Sequence, residues 1–237
     1  MLADMQKSGF EVTENHEEAD AVIINTCAFV EDAQSESLEA ILQGARLKAD
    51  SDNKKLIITG CMAQRYADDL AEQLPEIDAV VGFESYASLP AHTHKLLSGH
   101  EPASAPEKVL VGSATPPFRS EVDRIRMTKE HTAYIRVAEG CDHACSFCAI
   151  PGFRGKFRSK AWDSILEEAR SLVNAGVKEI NLIAEDTNQY GMDRCAPACH
   201  ELPTIVSTAC EVNAAADCFV HILWALCAGK VGLDWRS

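Results

Sequence analysis

Residues 132–148 read TAYIRVAEGCDHACSFC. Thr132–Val137 (TAYIRV) has the composition of a strand, Gly140 interrupts it, and Cys141, Cys145 and Cys148 follow with the spacing C-x-x-x-C-x-x-C. Three thiolates on one short loop match three irons of a 4Fe–4S cluster. The fourth iron then keeps an open position, as catalytic metal sites do. A structural zinc would need a fourth ligand, and His143, inside the loop, is badly placed to share a tetrahedron with its neighbours. A zinc knuckle, or three unrelated buried cysteines, are the alternatives. Phe147, next to the last cysteine, is placed to shield a cluster from water. Downstream, a helix is expected over Trp162–Ala175, ended by Gly176, then a strand over Glu179–Ala184 (EINLIA). Strand, cysteine loop, helix and strand make one βαβ unit, the opening of a barrel-like fold that carries its chemistry at strand ends.

Upstream, the first hundred residues alternate between strand and helix signals. Apolar runs at Ala21–Thr26 (AVIINT), Leu56–Thr59 (LIIT) and Ala79–Val81 predict strands. Helices are predicted over Glu31–Lys48, Ala63–Leu74 and Tyr86–Leu97, the first with acids in its opening turn and Arg46 and Lys48 in its last. Continuous apolar strands between helices imply a parallel sheet covered on both faces. Cys27 and Cys61 each fall just after a strand, where open α/β sheets place ligands. Burial in the core is the other common fate of such cysteines. Residues 99–118, rich in Pro, Ser, Ala and Gly, read as a linker or surface excursion. The domain reading is therefore an N-terminal α/β domain over 1–100, a linker over 101–130, a second α/β pattern over 131–193, and an atypical tail over 194–237.

The bulk numbers narrow the function classes. The net charge is −14 over 237 residues, and only the stretch 101–160 is net basic. So acidic a chain is a poor general binder of nucleic acid, and no direct nucleic-acid binding is expected. The first residues lack the apolar stretch of a secretory signal, and the most apolar run, Cys218–Ala228, is about half a membrane span. A cytoplasmic location follows, with no membrane partner. In that reducing compartment the ten cysteines bind metal, do chemistry or lie buried, rather than pair as disulfides.

Arg154, Lys156, Arg158 and Lys160 form a basic run with no acid between His143 and Trp162. It reads either as a solvated loop or as a contact to cofactor or substrate. Phe153 and Phe157, interleaved in it, suit base stacking or the core equally. Glu185 and Asp186 end the second strand, as groups for a cofactor ammonium or as a simple turn. No hydrolase triad or phosphate loop competes with the cysteine loop.

The stretch Tyr134–Lys160, YIRVAEGCDHACSFCAIPGFRGKFRSK, resembles the core of the radical-SAM methylthiotransferase family. PGFRGKFRSK at 151–160 and Glu185-Asp-Thr-Asn-Gln-Tyr-Gly191 resemble its RimO-like branch, which modifies a ribosomal protein. The MiaB-like branch, which acts on transfer RNA, usually reads differently at the second motif. Asn25-Thr-Cys27-Ala-Phe and Thr59-Gly-Cys61-Met-Ala-Gln-Arg are similar to two further cysteine motifs of the family. The resemblance covers about residues 1–193. It implies the first βαβ unit of a partial (β/α) radical-SAM barrel behind an incomplete N-terminal parallel-sheet domain. Two 4Fe–4S clusters are implied, one on Cys141, Cys145 and Cys148, and one with Cys27 and Cys61 among its ligands. S-adenosylmethionine is implied as radical source and methyl donor, with Glu185 and Asp186 toward its ammonium and Arg154, Lys156 and Arg158 toward cofactor or substrate. The implied substrate is an aspartate β-carbon of the twelfth small-subunit ribosomal protein. Electron donor and sulfur source stay open. Adenosine in transfer RNA is the alternative substrate, and an inactive iron–sulfur-binding fragment is the alternative of another class. Against the family pattern the chain reads as truncated at both ends. A first strand with its cysteine, the later barrel units and a C-terminal substrate-binding domain are not found. The tail, with Cys195, Cys199, Cys210, Cys218 and Cys227, fits translation in a wrong frame.

Overall fold

The computed structural model describes residues 1–50, 53–99, 102, 104–115, 118, 124–194 and the backbone of 219–222. The chain divides into two compact units. Of the described residues, the first takes those up to Phe118 together with Arg124, Ile125 and His143–Gly155, and the second takes Arg126–Asp142 and those from Lys156 onward.

The first unit is built on a parallel sheet of β1 (Ala21–Thr26), β2 (Lys55–Gly60), β3 (Ala79–Val81) and β4 (Val109–Leu110), in that order. All six residues of β2 are buried, as a central strand covered on both faces requires. Its side chains alternate between two cores. Leu56 and Ile58 pack with Ile41 of α2 (Glu31–Ala49), with Met62 and Ala63 of α3 (Cys61–Arg65), and with Leu70 and Ala71 of α4 (Ala67–Gln73). Ile57 faces the other way, with Met5 of α1 (Leu2–Lys7) and with Leu89 and Leu96 of α5 (Leu89–Leu97). Helices therefore cover both faces, as the apolar runs predict. Gly44 of α2 lets that helix approach the sheet, since a Cβ there would sit 2.8 Å from Leu56 Cδ1. Charged groups at the sheet are satisfied. Lys54 Nζ donates to the carbonyls of His16, Glu17 and Ala19, and Asp78 Oδ2 accepts from Leu56 N–H and Lys48 Nζ.

Two elements differ from the sequence reading. The helix expected over 63–74 starts earlier, at Cys61, and is broken at Tyr66. Residues 105–110, expected within the linker, form a short helix α6 (Ala105–Lys108) and the fourth strand β4. A two-residue strand flanked by proline-rich sequence carries too little periodicity to be seen.

In the second unit, β5 (Thr132–Arg136) pairs in parallel with β8 (Glu179–Ile183). A short antiparallel ribbon joins β6 (Ala138–Glu139) to β7 (Arg158–Ser159). Between the ribbon strands the chain carries the cysteine loop and α7 (Ile150–Arg154), the latter counted with the first unit. Helix α8 (Trp162–Asn174) lays Ile165, Ala169 and Leu172 on Ala133, Ile135, Ile180 and Leu182. It ends as predicted. Gly176 takes φ +86° and donates to Val173, while Val177 N–H returns to the Leu172 carbonyl. The backbone of β9 (Phe219–Ile222) adds a third parallel strand beside β8, within the tail where no further strand is expected. The five tail cysteines lie outside the described residues.

Candidate metal centres

The carboxyl edge of the first sheet brings Cys27 and Cys61 to corresponding places. Thr26 pairs with Gly60, so each cysteine stands one step beyond the paired ends of adjacent strands. Neighbouring strands lie about 4.8 Å apart. Gly60 makes this approach possible. Its φ is +94°, and a Cβ there would lie 2.4 Å from the Thr26 carbonyl oxygen and 2.6 Å from Asn25 Oδ1. The backbone after β1 is held from two sides. Cys27 N–H donates to Ser37 Oγ of α2 at 2.9 Å, and Arg65 Nη1 of α3 donates to the Ala28 carbonyl at 2.9 Å. Both thiols are half-buried and unbridged.

Arg154, at the end of α7, reaches this edge. Its Nη2 lies 3.4 Å from Cys61 Sγ, and its guanidinium carbon stands 4.4 Å from the centre of the Phe83 ring. Phe83 opens the 3-10 turn Phe83–Ala87 that follows β3. Tyr86 of the same turn is surrounded by Thr59, Gly60, Arg154 and Cys61. Burial, the largest effect, pushes its hydroxyl above the ordinary tyrosine value, against the hydrogen bonds of Thr59 and Gly60 and the charge of Arg154.

The cysteine loop leaves β6 through Gly140, at φ +76°. Cys141 is buried, at 8% exposure, while Cys145 and Cys148 are half-buried. Cys148 N–H donates to the Cys145 carbonyl at 3.1 Å, closing a turn that precedes α7, whose first turn holds Pro151. Asp142 Oδ1 accepts from Phe157 N–H at 3.0 Å, which ties the loop's start to the residue before β7. None of the three cysteines forms a disulfide, and thiolates are soft ligands suited to iron–sulfur or zinc. His143 is exposed, and Phe147 is 77% exposed.

The basic run separates into different roles. Arg154 points at Cys61, Lys156 is exposed, Arg158 is half-buried in β7, and Lys160 is buried in an ion pair with Glu168 of α8. A uniformly solvated loop does not describe it. Phe153 and Phe157 are both buried, which favours the core reading over base stacking. Beyond β8, Asp186 serves the turn reading. Its Oδ1 accepts from Asn188 N–H and caps the 3-10 turn Thr187–Gln189, and its Oδ2 accepts from Gln189 Nε2 at 2.8 Å. Glu185 is half-buried beside it. That same Gln189 nitrogen stands 3.7 Å from Cys141 Sγ. Sequence reasoning did not single out Gln189, Tyr86 or Ser37. For Gln189 the signal was present, inside the 185–191 motif. Nothing in the sequence points to Tyr86.

Two family models match the chain, the uncharacterized protein family UPF0004 over residues 1–82 and the Radical SAM superfamily over 135–216. The ribosomal protein uS12 methylthiotransferase RimO of Clostridium perfringens is 44% identical over 193 residues, 81% of this chain and 42% of that protein. Over these residues the chain is similar to radical-SAM methylthiotransferases. The protein of the same name from Geobacter sulfurreducens is 38% identical over 226 residues, 95% of this chain and 48% of the relative. The chain thus spans somewhat under half the length of these methylthiotransferases. Among solved structures, the radical S-adenosylmethionine methyltransferase TsrM from Kitasatospora setae, solved with tryptophan substrate and a SAM analog, matches with a TM-score of 0.50. It is 17% identical, over 79% of this chain and 45% of that one, a likeness of fold alone. Among the described residues no helix is long and apolar enough to cross a membrane.

Proposed function

We propose that this chain carries the cluster-binding part of a RimO-like methylthiotransferase, which adds sulfur and a methyl group to an aspartate β-carbon of ribosomal protein uS12. The observation that carries this reading is the three-cysteine loop between β6 and α7, inside the stretch matched by the Radical SAM superfamily, in a chain whose relatives are RimO proteins. Cys141, Cys145 and Cys148 would hold a 4Fe–4S cluster with one iron left for S-adenosylmethionine. The absence of a disulfide among them and the closed turn at Cys145–Cys148 support that fit. Cys27 and Cys61 supply two thiols to a second cluster, and their matched places at the sheet edge support this. A cluster bound at Cys141, Cys145 and Cys148 would supply the electron that cleaves S-adenosylmethionine into methionine and a hydrogen-abstracting deoxyadenosyl radical, the chemistry that an unactivated C–H bond needs.

The chain's own residues bind and orient. Glu185 is assigned to the cofactor's ammonium, because it follows β8 and its neighbour Asp186 is already committed to the turn. Lys156 and Arg158 face cofactor or substrate in this reading, and Arg154 belongs with Cys61. Anaerobic reconstitution with iron and sulfide tests the assignment. About four irons per complete cluster, deoxyadenosine formation on reduction, and loss of that product in Cys141→Ala are expected. A uS12 substrate should then gain the mass of a methylthio group. Methylthio-adenosine in transfer RNA instead would move the substrate to the MiaB-like class. Iron without cleavage would leave a cluster-binding fragment, and no iron would overturn the assignment.

A further inference from the structure

The turn after β8 needs only part of the 185–191 motif. Asp186 Oδ1 caps Asn188 N–H at 2.9 Å, and the turn is complete with that bond. Gln189 adds something else. A carboxylate only accepts hydrogen bonds, so the contact at 2.8 Å with Asp186 Oδ2 fixes the amide with its nitrogen, not its oxygen, on that side. The nitrogen carries two hydrogens. One is taken by Asp186, and the same nitrogen lies 3.7 Å from the sulfur of Cys141, which is 8% exposed.

We propose that Gln189 is a positioning residue for Cys141, donating an N–H to its sulfur when that sulfur holds iron, with Asp186 fixing the amide's orientation. The inference rests on the reading of Cys141 as a cluster ligand. An N–H directed at a ligating sulfur draws negative charge from it and favours the reduced cluster, raising the reduction potential. Gln189 would thus set how readily this cluster accepts its electron without touching substrate.

The test uses the full chain, reconstituted anaerobically, with Cys27→Ser and Cys61→Ser introduced so that one cluster gives the signal. Iron per chain and the midpoint potential, followed by electron paramagnetic resonance, are compared with those of Gln189→Leu and Gln189→Glu. Both substitutions keep the bulk and remove the donor. The midpoint should shift to lower potential in both, further in Gln189→Glu, which puts an acceptor beside the sulfur. Should Gln189→Leu fail to fold, Gln189→Met keeps the length and reads the same contact. An unchanged midpoint in folded, iron-loaded variants would overturn the inference, since a purely steric role survives these changes. Cys141→Ala separates the two levels. If the cluster signal persists there, the reading of Cys141 is wrong and the inference goes with it. If it is lost there, an unmoved midpoint in the Gln189 variants counts against the inference alone.

Discussion

At the scale of single residues, the structure concentrates its demands on a few positions. Gly60 is the sharpest. Its left-handed backbone and the 2.4 Å approach of a would-be Cβ to the Thr26 carbonyl leave room for no side chain. Gly60→Ala should destabilise the first unit by about 3 kcal/mol, the upper end for a forced backbone conformation, measured by denaturant unfolding, and should reduce iron uptake at Cys27 and Cys61. Lys160 and Glu168 are a second demand, with side chains only 3% and 2% exposed. Removing one partner strands a buried charge. Lys160→Met should cost about 3–5 kcal/mol, and Lys160→Met with Glu168→Leu should recover most of that loss, so comparing single and double variants by chemical unfolding checks the pair. The five described cysteines were legible in the sequence because their spacing and strand-end positions are local facts. The partners that surround them were not. Arg154 and Cys61 are 93 positions apart, Gln189 and Cys141 are 48 apart, and a single sequence records no such pairing.

At the scale of elements, the strands β1, β2, β3, β5 and β8 and the helices α2 and α8 follow from runs and periodicities that the sequence displays. Most of their apolar residues are buried or half-buried, with Leu38 and Leu42 of α2 exposed. Helix α8 is the clearest case, with Ile165 at 2% exposure pressed on β5 and β8. Ile165→Ala should cost about 2–5 kcal/mol, read as a lowered midpoint of the second unit's unfolding, with no loss of thiol reactivity at Cys27. What escaped the sequence is short or interrupted. β4, β6 and β7 have two residues each, and pairing alone defines them. The predicted helix over 86–97 begins as a 3-10 turn through Ala87 and restarts at Leu89, with Pro90 in its first turn. The break at Tyr66 divides α3 from α4, and no glycine or proline marks it.

At the scale of the whole molecule, charge bears on substrate choice. The chain carries −14, and three cations of its one net-basic stretch are engaged internally. Arg136 pairs with Glu139, Lys160 with Glu168, and Arg154 lies on Phe83. With 36 acidic against 22 basic side chains, the chain as a whole repels a phosphate backbone. At physiological salt, micromolar protein should leave the electrophoretic mobility of transfer RNA unchanged, and a clear shift would favour the transfer-RNA reading. The division of the chain has a consequence for its genetics. The chain leaves the second unit after Asp142 and rejoins it at Lys156, having lent His143–Gly155 to the first. A single crossover at residue 130 would therefore hand Arg154 to one parent and Cys61 to the other. The two halves are inherited together or mismatched, and homologous exchange between diverged relatives should preserve them as a block.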